Sequence, residues 1–147
     1  MRQMTLGSLL VLASVLAAGC GPGYPIVTAS GTITLDGEPL TNATIITQPI
    51  GSKENTTPGP GSIAETDENG FFELAFQHED RMGAVPGKSR IKIVENGTKR
   101  ASADDTAEVV RSTVPLDYQE GKAEYEIPAE GTDAMDFALE SPRRRRR

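Results

Sequence analysis

The sequence predicts an all-β domain: a single seven-stranded antiparallel β-sandwich with Greek-key connections. Three observations predict it. Apolar and polar residues alternate with a period of two in run after run, which puts one set of side chains on each face of a strand. Tight-turn dipeptides separate the runs. After removal of the first nineteen residues the chain has 128 left, enough for one compact domain and too few for two.

The strands follow in order. Ile33 and Leu35 mark a run over about 27–35, ended by Asp36-Gly37, a pair that accepts the positive φ of a hairpin turn. A second run covers 42–49 and a third 62–66, separated by Pro58-Gly59-Pro60-Gly61, which breaks regular structure. Phe72, Leu74 and Phe76 alternate through 70–77, entered from Asn69-Gly70. Ile91 and Ile93 define 88–95, opened by Pro86-Gly87 and closed by Asn96-Gly97. Tyr125 and Ile127 define 122–127, and Met135, Phe137 and Leu139 define 134–140. Only 102–111 carries a helical signal, with Asp104 and Asp105 early and Arg111 late; its apolar face is thin, and an exposed loop with at most one or two turns is expected there.

The first twenty residues have a different character. Arg2 gives a small positive start and residues 6–18 an apolar run, too short to cross roughly 30 Å of hydrocarbon as a helix. This reads as a signal peptide over 1–19. Small Ala18 and Gly19 precede Cys20, the only cysteine, and a peptidase can reach such an extended stretch. The segment resembles the lipobox of bacterial lipoproteins, with leucine one place early at Leu16 and Ala17 in its usual position. The resemblance implies cleavage between Gly19 and Cys20, lipid attachment at Cys20, and residues 20–25 as anchor and linker. Gly21, where an aspartate would retain such proteins at the inner membrane, implies the outer membrane. Two or three acyl chains would anchor stably where one is marginal. The alternative is an ordinary secretory peptide that leaves a free thiol.

Charge excludes one class of partner. Between Cys20 and Pro142 lie all 21 acidic residues against nine Lys or Arg, a body of about −12 that the last five arginines bring to about −7. Such a body repels a phosphate backbone, and no nucleic-acid role is expected. A lone cysteine gives no internal disulfide, so burial has to hold the fold. The lack of tryptophan and the scarcity of aromatic residues weaken sugar-stacking and quaternary-amine sites.

Three stretches carry a second resemblance: residues 31–43, with Asp36-Gly37-Glu38-Pro39-Leu40; residues 66–74, with Asp67-Glu68-Asn69-Gly70; and residues 83–88, with Val85-Pro86-Gly87. Together they look like the signature segments of the carboxypeptidase-regulatory-like domain, a transthyretin-like β-sandwich common in short bacterial lipoproteins. Residues 114–118 and 135–139 fit the C-terminal part of that pattern, so the match covers most of 26–140. The sequence departs from it in an insertion over 99–112 and in Leu116-Asp117, where a lysine often precedes the tyrosine. The resemblance implies a non-catalytic module and supplies no catalytic residues.

The chemical candidates are few. Asp67-Glu68-Asn69-Gly70 lacks the alternating ligands and distant bidentate glutamate of an EF-hand, and reads as a hairpin turn. His78-Glu79-Asp80 sets an imidazole beside two carboxylates, but it is the only histidine and no cysteine cluster accompanies it, so a solvated loop tip is expected. The single histidine also gives little support to a serine hydrolase. Hydroxyisourate hydrolases of transthyretin-like fold need several histidines and a tyrosine-arginine-glycine-serine ending, which this chain does not have. An isopeptide cross-link needs a lysine on the first strand, and that strand has none. Sequons at Asn42, Asn55 and Asn96 would matter only in a eukaryotic secreted protein.

No cofactor, metal or catalytic residue is assigned. Arg143, Arg144, Arg145, Arg146 and Arg147 repel one another and are expected, within 141–147, to form a disordered cationic tail. They are the candidate electrostatic contact to an anionic envelope polymer, lipid or protein. The linker over 21–26 reaches at most about 20 Å, so the domain should sit close to its membrane. With seven alternating strands the last runs in the direction of the first and the arginines leave at the pole away from the anchor; an even count would reverse that. Glu124 and Glu126 on one strand would discourage edge pairing. The function expected is a lipid-anchored, non-enzymatic structural or binding module of the bacterial cell envelope, held to the membrane through Cys20. The alternative is a periplasmic hydrolase or transport accessory protein on the same fold.

Overall fold

The computed structural model describes residues 23–53, 56–97 and 112–142. Among these the chain is all-β apart from one helical turn, and its strands form two sheets. The strands are β1 (Ser30–Leu35), β2 (Glu38–Pro39), β3 (Ala43–Pro49), β4 (Ser62–Glu65), β5 (Phe71–Glu73), β6 (Ala75–Phe76), β7 (Arg81–Met82), β8 (Gly87–Glu95), β9 (Ala123–Ile127) and β10 (Phe137–Leu139); α1 (Leu116–Gln119) precedes β9. One sheet has the order β10-β1-β2, with β5 also paired to β1, and the other the order β7-β6-β4-β3-β8-β9.

Among the described residues ten strands replace the expected seven, for identifiable reasons. The hairpin at Asp36-Gly37, with φ of 53° and 88°, folds the two residues of β2 back onto β1. The 70–77 run breaks at Leu74: β5 pairs with β1 in one sheet, and β6 pairs with β4 in the other. Leu74 stitches the corner, donating its N–H to Ala29 O at 2.9 Å and accepting from Gly83 N–H at 2.6 Å. Strands that switch sheets make such corners in sandwiches. The chain then turns back through β7 on β6. The segment expected to be partly helical, 102–111, lies outside the described residues, as does most of the 99–112 insertion.

The sheets are not wholly antiparallel. β1 and β10 run parallel, with Ile33 beside Phe137 and Leu35 beside Leu139. An isolated parallel bridge, Ala29 to Thr132, extends this contact. The chain approaches β10 through 131–136, where Ser30 N–H donates to Thr132 O and Met135 N–H to Ser30 O, both at 3.0 Å. Gly31 lets that segment lie close, since a Cβ there would stand 2.3 Å from Met135 O. The count is even, against the odd count on which the expected placement of the chain's end rested; the parallel pairing of β1 with β10 nevertheless brings the ends of both strands to the same pole.

Most of the alternating residues are buried as their period requires, with Leu35 and Tyr125 half-buried against the core. Ile33, Phe72, Leu74, Met135, Phe137 and Leu139 join Ile45, Ile91, Ile93 and Ile127 in one core to which both sheets contribute. Phe137 is stacked on Phe72 at a centroid distance of 6.3 Å and met edge-on by Tyr118 and Tyr125. Each fully buried Ile or Phe of this kind contributes roughly 1.5–3 kcal/mol relative to exposure.

Candidate functional site

Gly19, Cys20 and Arg143–Arg147, the residues singled out from sequence, lie outside the described residues; what the structure describes is where the chain enters and leaves between them. At the entry pole, Tyr24 packs on the Phe76 ring at 6.1 Å and covers Gly59, where a Cβ would stand 2.7 Å from the tyrosine ring. Val27 and Ala84 exchange backbone hydrogen bonds at 3.0 and 2.9 Å there. At the opposite pole, Asp36 N–H donates to Leu139 O, and Asp36 Oδ1 accepts from Ser141 N–H at 2.9 Å. Those Ser141 contacts hold the Asp36 carboxyl below its usual value. Asn42 and Asn96 meet at the same pole. Asn42 Nδ2 donates to Asn96 O, and Asn96 N–H donates to Asn42 O. Asn55, the third sequon residue, lies outside the described residues.

The chemical candidates have structural occupations. Asp67 Oδ1 accepts from the N–H groups of Asn69 and Phe71 at 2.8 and 2.9 Å, so this carboxylate caps the turn into β5. His78 is exposed on the loop between β6 and β7, its ring edge-on to Phe76 at 6.3 Å, and Glu79 in the same loop pairs with Arg81 at 3.2 Å. Among the described residues no three His, Cys, Asp or Glu side chains gather as a metal site would need. No helix among them is long and apolar enough to cross a membrane.

One surface feature was not singled out from sequence. On the outer face of the six-stranded sheet, Ile46 and Gln48 of β3, Arg90 and Lys92 of β8, and Glu120, Gly121 and Lys122 before β9 line an open groove of ≈ 600 Å³. Period two builds it: Ser89, Ile91 and Ile93 point into the core, so Lys88, Arg90 and Lys92 all point out. Lys88-Ser89-Arg90-Ile91-Lys92 carries that signal in the sequence. Of the acids around it, Glu124 pairs with Lys88 at 3.5 Å and Glu120 pairs with Lys122; Glu120, and Asp117 after it, hold the Lys122 ammonium pKa above the usual lysine value.

Beside Asn96, Glu95 closes a different connection. Its carboxylate accepts from Ser112 Oγ at 2.5 Å, Thr113 N–H at 2.7 Å and Thr113 Oγ1 at 2.8 Å, joining the two described ends of the chain that flank 98–111.

Set against known proteins, the chain matches no family model, no curated protein and no solved structure.

Proposed function

We propose that the chain is a lipid-anchored, non-enzymatic binding or structural module of the bacterial cell envelope, cut before Cys20 and acylated on its thiol. We read its two sheets as the layers of a Greek-key sandwich of the carboxypeptidase-regulatory-like type, a reading supported by the single core to which both contribute. Anchored in this way, most simply in the outer membrane, the module holds its entry pole near the bilayer. The arginines that follow Pro142 act from the other pole, on an anionic polymer or protein opposite the anchoring leaflet.

The observation that carries this reading is the parallel pairing of β1 with β10. A chain whose described residues enter at Val27 and leave at Ser141 beside Asp36 enters and leaves the domain at opposite ends. From Val27 to Leu35 is eight residues, about 26 Å at roughly 3.3 Å each. Tethering one end and displaying the other is the arrangement a bridging module needs, and five cationic side chains near an anionic surface each contribute about 1 kcal/mol before screening.

The test compares wild type with Cys20→Ala in detergent extracts of membranes. The expected result is a mature chain starting at Cys20 with the added mass of acyl chains, both that mass and membrane retention being lost in the variant. A chain cut elsewhere and free of lipid would overturn the anchor.

A further inference from the structure

We propose that the groove on the outer face of β3, β8 and β9 is a binding site for a phosphomonoester carried on a soluble molecule. This deepens the binding-module reading, and rests on it in giving the module a ligand.

The arrangement of charge is the first ground. Ile91 lies beside Ala123 at the start of β9, so Lys92 stands across from Lys122, the residue before that strand. Arg90 faces Glu124 in register, but that carboxylate is bonded to Lys88. Glu120 is bonded to Lys122. Arg90 and Lys92 therefore have no ion-pair partner among the described residues, in a chain with 21 acidic residues. Two such cations side by side offer a place for an anion from outside.

The shape and the count select the anion. Arg90 and Lys92 leave the strand about 6.6 Å apart, and Lys92 and Lys122 about 5 Å apart, so three long side chains can close on one small tetrahedral group. The lining carries Arg90, Lys92 and Lys122 against Glu120. That excess of two positive charges matches a phosphomonoester, which carries about −1.5 to −2 at neutral pH; one carboxylate would leave a cation unmet. The Arg90 guanidinium can take two phosphate oxygens at once. Gln48 offers amide donors at one rim and Ile46 a half-buried apolar floor. Gly121, in a turn at φ +67°, has no side chain to project beside Lys92, whose Cβ would lie 3.6 Å from a Cβ at that position.

The position selects a soluble source. Arg90 lies three residues from the Gly87 end of β8, and Lys92 three from the Glu95 end, each about 10 Å from a pole. A phosphate on a free molecule reaches the flank. A flat bilayer under either pole does not.

The test is a titration of the ¹⁵N-labelled full chain carrying Cys20→Ala with glucose 6-phosphate at fixed ionic strength, followed by NMR, with glucose as the control. Saturable shifts centred on Lys92, Gly121 and Gln48 are expected with the phosphate and not with glucose. Arg90→Gln/Lys92→Gln should raise the Kd about fivefold or more, and Lys53→Gln should leave it unchanged. Shifts that do not saturate, or that survive the double variant, would overturn the site. Binding only to phosphatidic acid vesicles would overturn the soluble source, and loss of the groove signals through self-association on raising protein concentration would make the occupant a second copy. Any of these leaves the membrane retention tested through Cys20 unaffected, so the two readings fail separately.

Discussion

Replacing Glu95 with alanine removes the acceptor that joins the end of β8 to the chain re-entering the domain at Ser112. Ser112 Oγ, Thr113 N–H and Thr113 Oγ1 donate to this carboxylate, and the next residue along, Val114, is fully buried in the core. A hydrogen bond to a charged group contributes about 1.5–3 kcal/mol when dry, but this carboxylate is partly open to water and its donors can be rehydrated, so the sum is about 2 kcal/mol for the set. The effect should depend on pH. Burial pushes the Glu95 carboxyl up, and the hydrogen bonds from Ser112, Thr113 and Val114 outweigh burial and hold it below its ordinary value of 4.5. A group with a lowered folded pKa stabilises fully above its ordinary value, and that contribution fades as pH falls through the lower, folded value. Urea unfolding of wild type and Glu95→Ala should therefore differ by about 2 kcal/mol at pH 7 and by clearly less at pH 2. A difference below about 0.5 kcal/mol at pH 7, or one of equal size at both pH values, would refute the account of this contact.

Three further substitutions test other parts of the fold. Gly31→Ala should destabilise by about 2–4 kcal/mol, because its Cβ would meet the Met135 backbone and that backbone must move; a loss under about 1 kcal/mol in the same urea assay would mean that β1 and 131–136 are not in close contact. Ser89→Ala should leave stability unchanged or raise it by up to about 1 kcal/mol, since the Ser89 hydroxyl is fully buried with no hydrogen-bond partner among the described residues; a clear loss in thermal melting would reveal a partner. Asp67→Ala removes the side-chain acceptor of two backbone N–H groups and should cost about 1–2 kcal/mol, with hydrogen exchange accelerating first at Asn69 and Phe71; unchanged exchange there would contradict the capping role.

The sequence carried the core well because burial follows the same period that builds the strands. Ile33, Phe72, Leu74, Phe76, Ile91, Ile93, Ile127, Met135, Phe137 and Leu139 all point inward as their alternation requires. It carried the Asp36-Gly37 hairpin for a local reason: both residues adopt positive φ. Pairing partners are another matter, since period two assigns a residue to a face and says nothing of which strand lies alongside. The parallel β1–β10 contact and the change of sheet at Leu74 are decided by partners 100 or more residues away and about 45 away, respectively. The turn of helix at Leu116–Gln119 follows Pro115 and contains no buried residue, so no apolar period announced it. The groove was legible in part, as Arg90 and Lys92 on alternate residues of one strand; its third cation, Lys122, comes from a different segment. Its unpaired state was not, because that depends on where Glu120 and Glu124 point.

The claim that organises the rest is that the chain enters and leaves the domain at opposite poles. It is tested most directly by the distance between spin labels on Gly23→Cys and Ser141→Cys in the Cys20→Ala background, measured by pulsed dipolar spectroscopy. Both sites suit labels: Gly23 is exposed with open space around its Cβ position, and Ser141 lies at the surface just beyond β10. Parallel β1 and β10 predict a single distance of about 30 Å or more, from eight extended residues and the segments beyond them. A distance of about 15 Å or less would place both ends at one pole and contradict the parallel pairing, and with it the bridging role built on it.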